Sequence, residues 1–460
     1  MQYLTDTIVA PATPQGQSAL AVIRLSGSNS VHIVNAFFRG ADLNEMPTHT
    51  VHYGWITDQN IDVDEVMVTV FRAPRTFTME DSVEISCHGS PVIVQQILSV
   101  LVAGGARMAN PGEFTLRAFL HGRLDLSQAE AVADIIHATS GRSADIALKQ
   151  LKGHFSGQLK ELRQELIDFA ALMELELDFS EEDVEFANRG RLQELIERIV
   201  GVIDPMMASF QWGNSIREGI PVAIIGAPNA GKSTLLNALL SEEKAMVSEI
   251  AGTTRDYIED TLVIQGVTFR FTDTAGIRET KDVLEGMGIE RSRQKLREAD
   301  IVFFVCDASK TGASILEEYN LLLGVSSQEI VVLLNKSDQL GEEEAVNKST
   351  QLAGATGKPV LAISARDTQT LTGLWSFLEG YILSHNQAEG TVISNVRHFE
   401  ALARTKECLN QVSHGLSARI SSDLVAMDLR EGLYHLGTIT GQVTTDDLLE
   451  SIFSRFCIGK

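Results

Sequence analysis

The sequence predicts a multidomain α/β plus α protein in which an α/β nucleotide domain is inserted into a helical one. Three observations carry this prediction. The apolar run Val222–Ile225, the loop Gly226-Ala-Pro-Asn-Ala-Gly-Lys-Ser233 and the helix-forming Thr234–Leu240 spell strand, glycine loop, helix in the spacing G-x-x-x-x-G-K-[ST]. From about Gly219 to Leu383 strand and helix patterns alternate around that loop. Helical stretches flank this segment, one through Gln158–Leu177 and one from His398 through Ile452.

At 460 residues the chain has room for two to four domains. With 44% hydrophobic and 22% charged residues it has the composition of a soluble globular protein. Four dispersed cysteines, Cys87, Cys306, Cys408 and Cys457, lack a C-x-x-C and argue against a disulfide framework or a cysteine zinc cluster. The first ten residues carry no basic, apolar leader and no run reaches membrane-spanning length, so a cytoplasmic location is expected. A formal net charge of −23 argues against a broad grip on nucleic acid, because phosphate contacts need lysine and arginine, although local basic stretches such as Arg291–Arg297 exist.

Taken in order, residues up to about 120 read as mixed α/β, with strands at Ser18–Leu25 and Val66–Phe71 and a helix over Pro91–Val102 that stops at Gly104-Gly105. Leu124–Ile136 is helical. So is Gln158–Leu177, where Leu159, Leu162, Leu166, Phe169 and Met173 recur at three- and four-residue steps. The acidic cluster 180–185 reads as a solvated turn. A further helix is expected from about Arg191 to Ile203, stopping at Pro205.

The glycine loop points its N–H groups at phosphate, aided by the positive end of the following helix. Asn229, Ala230, Gly231, Lys232, Ser233 and Thr234 line such a site, with Lys232 on the β- and γ-phosphates and Ser233 on Mg²⁺. Gly252-Thr253-Thr254-Arg-Asp offers a threonine hydroxyl to the metal. Asp273-Thr274-Ala275-Gly276 follows a strand and offers a carboxylate and a γ-phosphate N–H. In Asn335-Lys336-Ser-Asp338 the aspartate can accept from guanine N1–H and the 2-amino group, which adenine lacks, so the motif selects GTP. Ser364-Ala365 fits the last base-contacting loop. All five motifs, in order and each at a strand end, specify a GTPase.

Where many small GTPases place a water-orienting glutamine after Asp-Thr-Ala-Gly, this chain has Ile277. Glu279, Asp282 and Glu285 are candidates for that role, and no arginine finger is evident, although Arg255 and Arg278 lie nearby. The terminal Cys457-Ile-Gly-Lys460 is open between two readings. With Arg455 and Lys460 close by, the thiol could be a nucleophile; it could equally be a buried structural cysteine. A prenylation box is a poor match because the last residue is lysine.

With these residues in place the chain resembles the MnmE (TrmE) family of tRNA modification GTPases over essentially its whole length. The likeness rests on Thr7-Ile-Val-Ala-Pro-Ala-Thr-Pro14, Pro111-Gly-Glu-Phe-Thr-Leu-Arg-Ala-Phe-Leu120, Leu124–Ala131, the inserted nucleotide domain and Cys-Ile-Gly-Lys. It implies an N-terminal α+β folate-binding-like domain (1–120) that forms the homodimer. It also implies a discontinuous helical domain (121–215 and 385–460) and an inserted Ras-like P-loop G domain (216–384). Arg24, Glu84, Arg123 and Lys460 would meet a tetrahydrofolate derivative in its 5,10-methylene or 5-formyl form; the family more usually has lysine at position 123. A potassium ion would replace the arginine finger, held by Asn229 and by the loop that carries Ser248, Ile250 and Thr253, where the family usually has threonine at position 248. Glu285 would orient the attacking water. Cys457 falls near the folate site and is a candidate catalytic thiol. The family works with the FAD-dependent partner MnmG to modify C5 of the wobble uridine in certain tRNAs, and the partner would supply most of the tRNA surface. The competing reading is a GTP-switched RNA-binding or ribosome-assembly factor without one-carbon chemistry; such a protein should carry a basic appended domain, whereas this chain has acidic helices. A third is a folate-dependent transferase with a regulatory G domain.

Overall fold

A computed structural model of the chain describes residues 5–178, 189–246, 260–273, 296, 299–323, 329–385 and 391–459. It divides into two compact units, one of Met1–His137, Ala147–Val200 and Glu400–Lys460, the other of Ala138–Ile146 and Gly201–Phe399.

The first unit begins with β1 (Ile8–Pro11), β2 (Ser18–Ser26), α1 (Ser30–Phe37), β3 (Phe38–Arg39), β4 (Thr50–Asp58), β5 (Ile61–Phe71), β6 (Ser82–Gly89), α2 (Pro91–Ala103), β7 (Arg107–Met108) and α3 (Glu113–Leu120). The strands form one seven-stranded sheet in the order β3-β4-β5-β6-β2-β1-β7, antiparallel except for β1 with β7. Period-2 alternation sends Ile23, Leu25, Val66, Val68, Val70, Val83 and Ile85 to one face, where they pack with Val31 and Val34 of α1 and Ile97 and Leu101 of α2. Pro91 opens α2 at its first turn and Gly104 caps its end, as the sequence predicts.

Helices follow: α4 (Leu126–His137), α5 (Gly141–Leu151), α6 (His154–Asp178) and α7 (Arg189–Glu218). The predicted repeat Leu159, Leu162, Leu166, Phe169, Met173 is the buried stripe of α6. In α7 the expected stop at Pro205 does not occur, and the helix runs on to Glu218. Pro205 forfeits its own bond to the Gly201 carbonyl and its ring crowds that carbonyl, a cost confined to one turn. Burial of Ile199, Ile203, Met206, Trp212 and Ile216 on either side outweighs that local cost. The acidic cluster 180–185 lies outside the described residues.

The second unit holds β8 (Ile220–Ile225), α8 (Lys232–Met246), β9 (Asp260–Ile264), β10 (Val267–Asp273), β11 (Ile301–Asp307), α9 (Gly312–Leu323), β12 (Glu329–Asn335), α10 (Glu342–Thr356), β13 (Val360–Ala362) and α11 (Thr372–His385). Its sheet runs β13-β12-β11-β8-β10-β9, parallel except for β9. A parallel sheet is covered on both faces, and the central strands β8, β11 and β12 are accordingly almost wholly apolar and buried. Val222 and Ile224 of β8 enter one core cluster, Ala223 and Ile225 the other.

The chain returns to the first unit with α12 (Val396–Ser417), α13 (Ser422–Thr440) and α14 (Asp446–Phe453). Helix α13 packs along α6. Among the described residues no helix is long and apolar enough to cross a membrane.

The motif Pro111–Leu120 has a structural role. Its Arg117 is 1% exposed, and its guanidinium donates to Asp6 Oδ1 (2.6 Å), the Asp6 carbonyl (2.8 Å), Glu80 Oε1 (3.1 Å) and Glu113 Oε1 (3.0 Å). Arg107 donates to Asp6 and Glu113 as well. Burial pulls the Asp6 and Glu113 carboxyls up, but hydrogen bonds from Arg107 and Arg117 more than offset it and hold both below their ordinary values of 3.8 and 4.5. A depressed carboxyl stabilises the fold above its ordinary pKa and loses that contribution as pH falls through the folded value. Urea unfolding of the full chain is therefore expected to show level stability above about pH 5 and a decline in acid. Arg117→Met should cost about 3–5 kcal/mol, since it strips a buried ion network of its central cation, and should flatten the acid decline.

Candidate functional site

All the parallel strands of the second unit end on one edge of the sheet, where the crevice of an open α/β sheet binds its ligand. At the end of β8 the chain turns through Gly226 (φ +150°), Asn229 (φ +65°) and Gly231 (φ +97°) into α8. Two glycines are obligatory for packing as well as for conformation. A Cβ on Gly226 would collide with the Val305 carbonyl, and one on Gly231 with the Asn335 side-chain amide. The loop backbone is thus seated on β11 and β12 without bulk, at the N-terminus of a helix. Lys232 Nζ donates to the Gly226 and Ala227 carbonyls, each at 2.9 Å. Ser233 and Thr234 are exposed on the first turn of α8, Ala230 is buried, and Asn229 is exposed in the left-handed region.

Asn335, 2% exposed at the end of β12, joins two loops. Its Nδ2 donates to the Ala230 carbonyl (2.7 Å), and its Oδ1 accepts from the Ala365 N–H (2.9 Å). Phosphate loop and base loop are therefore held by one amide. Lys336 (φ +64°) reaches Asp307 Oδ2 at 2.6 Å. Burial raises the Asp307 carboxyl, but hydrogen bonds from Lys336 and from the Ser309 N–H and Oγ outweigh it and hold it at about 2. Asp338 is exposed in the short 3-10 turn Ser337–Gln339, with a carboxylate available to a base. The Ser337 N–H donates to Ile363 (3.0 Å), and the Ser364 N–H donates to Thr370 Oγ1 (2.8 Å). Asp307 escaped the sequence reading. Its signal was a polar residue closing the apolar run Ile301–Cys306, the same position that Asn335 holds on β12.

Asp273 closes β10 on this edge. Ser248, Ile250, Thr253, Thr254, Thr274, Ala275, Gly276 and Glu285 lie outside the described residues, as do Glu279, Asp282 and Lys460.

In the first unit, two of the four residues assigned to the folate, Arg24 and Arg123, gather around Phe77, and a third, Glu84, pairs with Arg24. Arg24 faces Glu84 across β2 and β6, and its guanidinium bonds Glu84 Oε1 through Nε (2.9 Å) and Nη2 (2.7 Å). The Arg24 guanidinium carbon lies 5.7 Å from the Phe77 ring centroid and that of Arg123 lies 4.8 Å from it. Arg123 also donates to the Phe77 carbonyl (2.8 Å). An aromatic face, two cations and a carboxylate suit a flat heterocycle bearing both donors and anionic groups. No sequence signal marks Phe77, which lies in a loop.

The terminal segment docks on the same unit. Phe453 and Phe456 are buried with Leu126 and Ala129 against Leu116 and Phe119, and the Gly112 N–H faces the Cys457 carbonyl at 3.5 Å. Gly459 (φ +94°) lies so close to Pro11 that a Cβ would collide with its carbonyl. Pro11 pairs with Ile23, the neighbour of Arg24. Cys457 itself is exposed, so the reading of a buried structural thiol does not hold. Burial pushes the interior thiols up, Cys87 to about 11 and Cys306 to about 12.

Asn335→Ala is expected to lower GTP affinity by roughly tenfold or more and to destabilise the second unit by about 2 kcal/mol, two buried bonds being lost. Titration with a fluorescent guanine nucleotide and thermal unfolding check the two parts, and affinity equal to the parent would remove Asn335 from the site.

The comparisons with known proteins agree with this geometry. The family model described as "MnmE helical domain" matches residues 126–457, and that described as "GTP-binding protein TrmE N-terminus" matches residues 7–123. The tRNA modification GTPase MnmE of Cytophaga hutchinsonii is 50% identical over 99% of this chain and 98% of its own. That of Flavobacterium johnsoniae is 49% identical over 99% of both chains. The Bacteroides thetaiotaomicron protein is 45% identical, again over 99% of both. A phosphate loop seated by Asn335, an exposed aspartate in the Asn-Lys-Ser-Asp loop and whole-length likeness to these proteins lead to one conclusion: the chain belongs to the MnmE family of tRNA modification GTPases, and is a GTP hydrolase that takes part in tRNA modification.

Proposed function

We propose that this GTPase is potassium-dependent, acts as a homodimer with an FAD-dependent partner of the MnmG kind, and modifies C5 of the wobble uridine of certain tRNAs with a tetrahydrofolate derivative as one-carbon donor. The observation that carries the folate part is the Arg24–Glu84 pair with Arg123 about Phe77, in the unit that also seats the exposed Cys457. The dimer is supported by the sheet face turned away from the core. It exposes Leu20, Val51, Tyr53 and Met67, and Tyr53 and Met67 are cross-strand partners.

Within the GTP site, Lys232 exchanges two neutral carbonyls for phosphate oxygens, a stronger pairing for an ammonium. Ser233 and Thr254 would hold Mg²⁺, with Asp273 behind it. Asn229 with backbone from Ser248, Ile250 and Thr253 would hold K⁺. These cations would supply positive charge against the phosphates, the part an arginine finger plays elsewhere. Glu285 would orient water in place of the glutamine that Ile277 replaces. Asp338 selects guanine, and Lys336, held by Asp307, supports that loop.

GTP turnover measured in K⁺ and in Na⁺ at equal ionic strength is expected to be faster in K⁺, to rise with protein concentration, and to lose the K⁺ effect in Asn229→Ala. Equal rates in both salts would overturn the potassium and dimerisation reading. Titration with a tetrahydrofolate derivative is expected to show affinity at least about tenfold lower in Arg24→Ala, since a charge-assisted contact is lost; undiminished binding would remove the folate site from this pocket.

A further inference from the structure

Helices α12 and α13 bring three residues with metal-binding chemistry together outside both sites described above. Cys408 stands on α12. Glu431 and His435 stand one turn apart on α13, an i, i+4 pair on one helix face. One ligand atom from each, the Cys408 thiol sulfur, a Glu431 carboxylate oxygen and a His435 ring nitrogen, lies within 4.8 Å of the others. His435 Nε2 and Glu431 Oε1 are 3.7 Å apart, close to the ligand–ligand spacing of about 3.5 Å that bonds of about 2.0–2.3 Å impose around a tetrahedral ion. Gly432 lies at this contact: a Cβ built on it would sit 3.4 Å from the Cys408 Cβ.

We propose that Cys408, Glu431 and His435 form a binding site for a zinc-class divalent cation. Sulfur, nitrogen and oxygen in one set select a borderline-soft ion such as Zn²⁺ over Mg²⁺ or Ca²⁺, which prefer oxygen alone. Charge favours a cation as well, since Glu431, Asp428 and Glu407 all place negative potential on the sulfur. Cys408 is buried and the His435 side chain only 14% exposed, whereas Glu431 is 59% exposed. The site is therefore anchored on its inner side and open on its outer side, where water completes four-coordination. On binding, the thiol gives its proton to solvent and the thiolate takes up the metal, a balance that requires no redox partner. The ion would tie α12 to α13 and fix the helical part that carries the terminal segment.

Co²⁺ is the direct probe, since its thiolate charge-transfer band and tetrahedral visible spectrum report sulfur ligation. It is added to the full-length, metal-stripped and nucleotide-free protein in a Cys457→Ser background, which removes the exposed thiol. The expected result is one equivalent per chain with the thiolate band, displaced by Zn²⁺, absent in Cys408→Ser and shifted in His435→Gln. Because Cys408 is buried, Glu431→Gln gives an independent reading at an exposed position. It should fold as the parent and bind Co²⁺ at least about tenfold more weakly. Absence of the thiolate band in the folded parent, or binding unchanged in Glu431→Gln, would overturn the site.

Discussion

The Asn335 side chain is the constraint on which the nucleotide site depends. An amide has one donor face and one acceptor face, and here each is committed to a different loop at close hydrogen-bond distance, inside a buried pocket. Water cannot compensate for either bond at 2% exposure, so the phosphate loop and the base loop are fixed relative to β12 and hence to each other. Gly231 belongs to the same constraint, because the amide occupies the space a side chain would need there. The parallel sheet supplies the platform, since the buried apolar runs of β11 and β12 end in the polar residues Asp307 and Asn335 on the ligand edge.

The first unit solves a different problem in a related way. Arg117 is buried among Asp6, Glu80 and Glu113, with Arg107 bridging from the side. Such a network is costly to desolvate and is maintained only because nearly every lone pair and proton finds a partner. Its effect is positional: it ties the segment before β1, the loop before β6 and helix α3 into one body. That loop also carries Phe77, around which Arg24 and Arg123 gather.

Much of the described part of the nucleotide site was legible in the sequence, because the motifs at Gly226, Asn335 and Ser364 are local and stand at or just after the ends of β8, β12 and β13. Hydrophobic runs announced β8, β11 and β12, and the glycine spacing announced the loop between β8 and α8. The apolar steps of α6 were equally readable, and all five residues of its stripe are buried. What escaped depends on partners far away in the chain. Arg117 has such partners in Asp6 and Glu80, and Asp307 had no meaning without Lys336. The passage of α7 through Pro205 reverses a local rule, because the apolar residues on both sides keep the helix going. The seven-stranded sheet was only partly visible, since β1, β3 and β7 are too short to show a period.

The docking of the last residues also has a consequence for the order of biosynthesis. The seat for Phe453, Phe456 and Gly459 is built from Pro11, Gly112, Phe119 and Leu126, which leave the ribosome early. The peptide that fills it is translated only after the whole nucleotide domain. Until then the first-made part of the protein carries an uncovered apolar surface, the kind of surface chaperones hold and proteases test. A chain interrupted anywhere before α14 would thus advertise its own incompleteness at its opposite end.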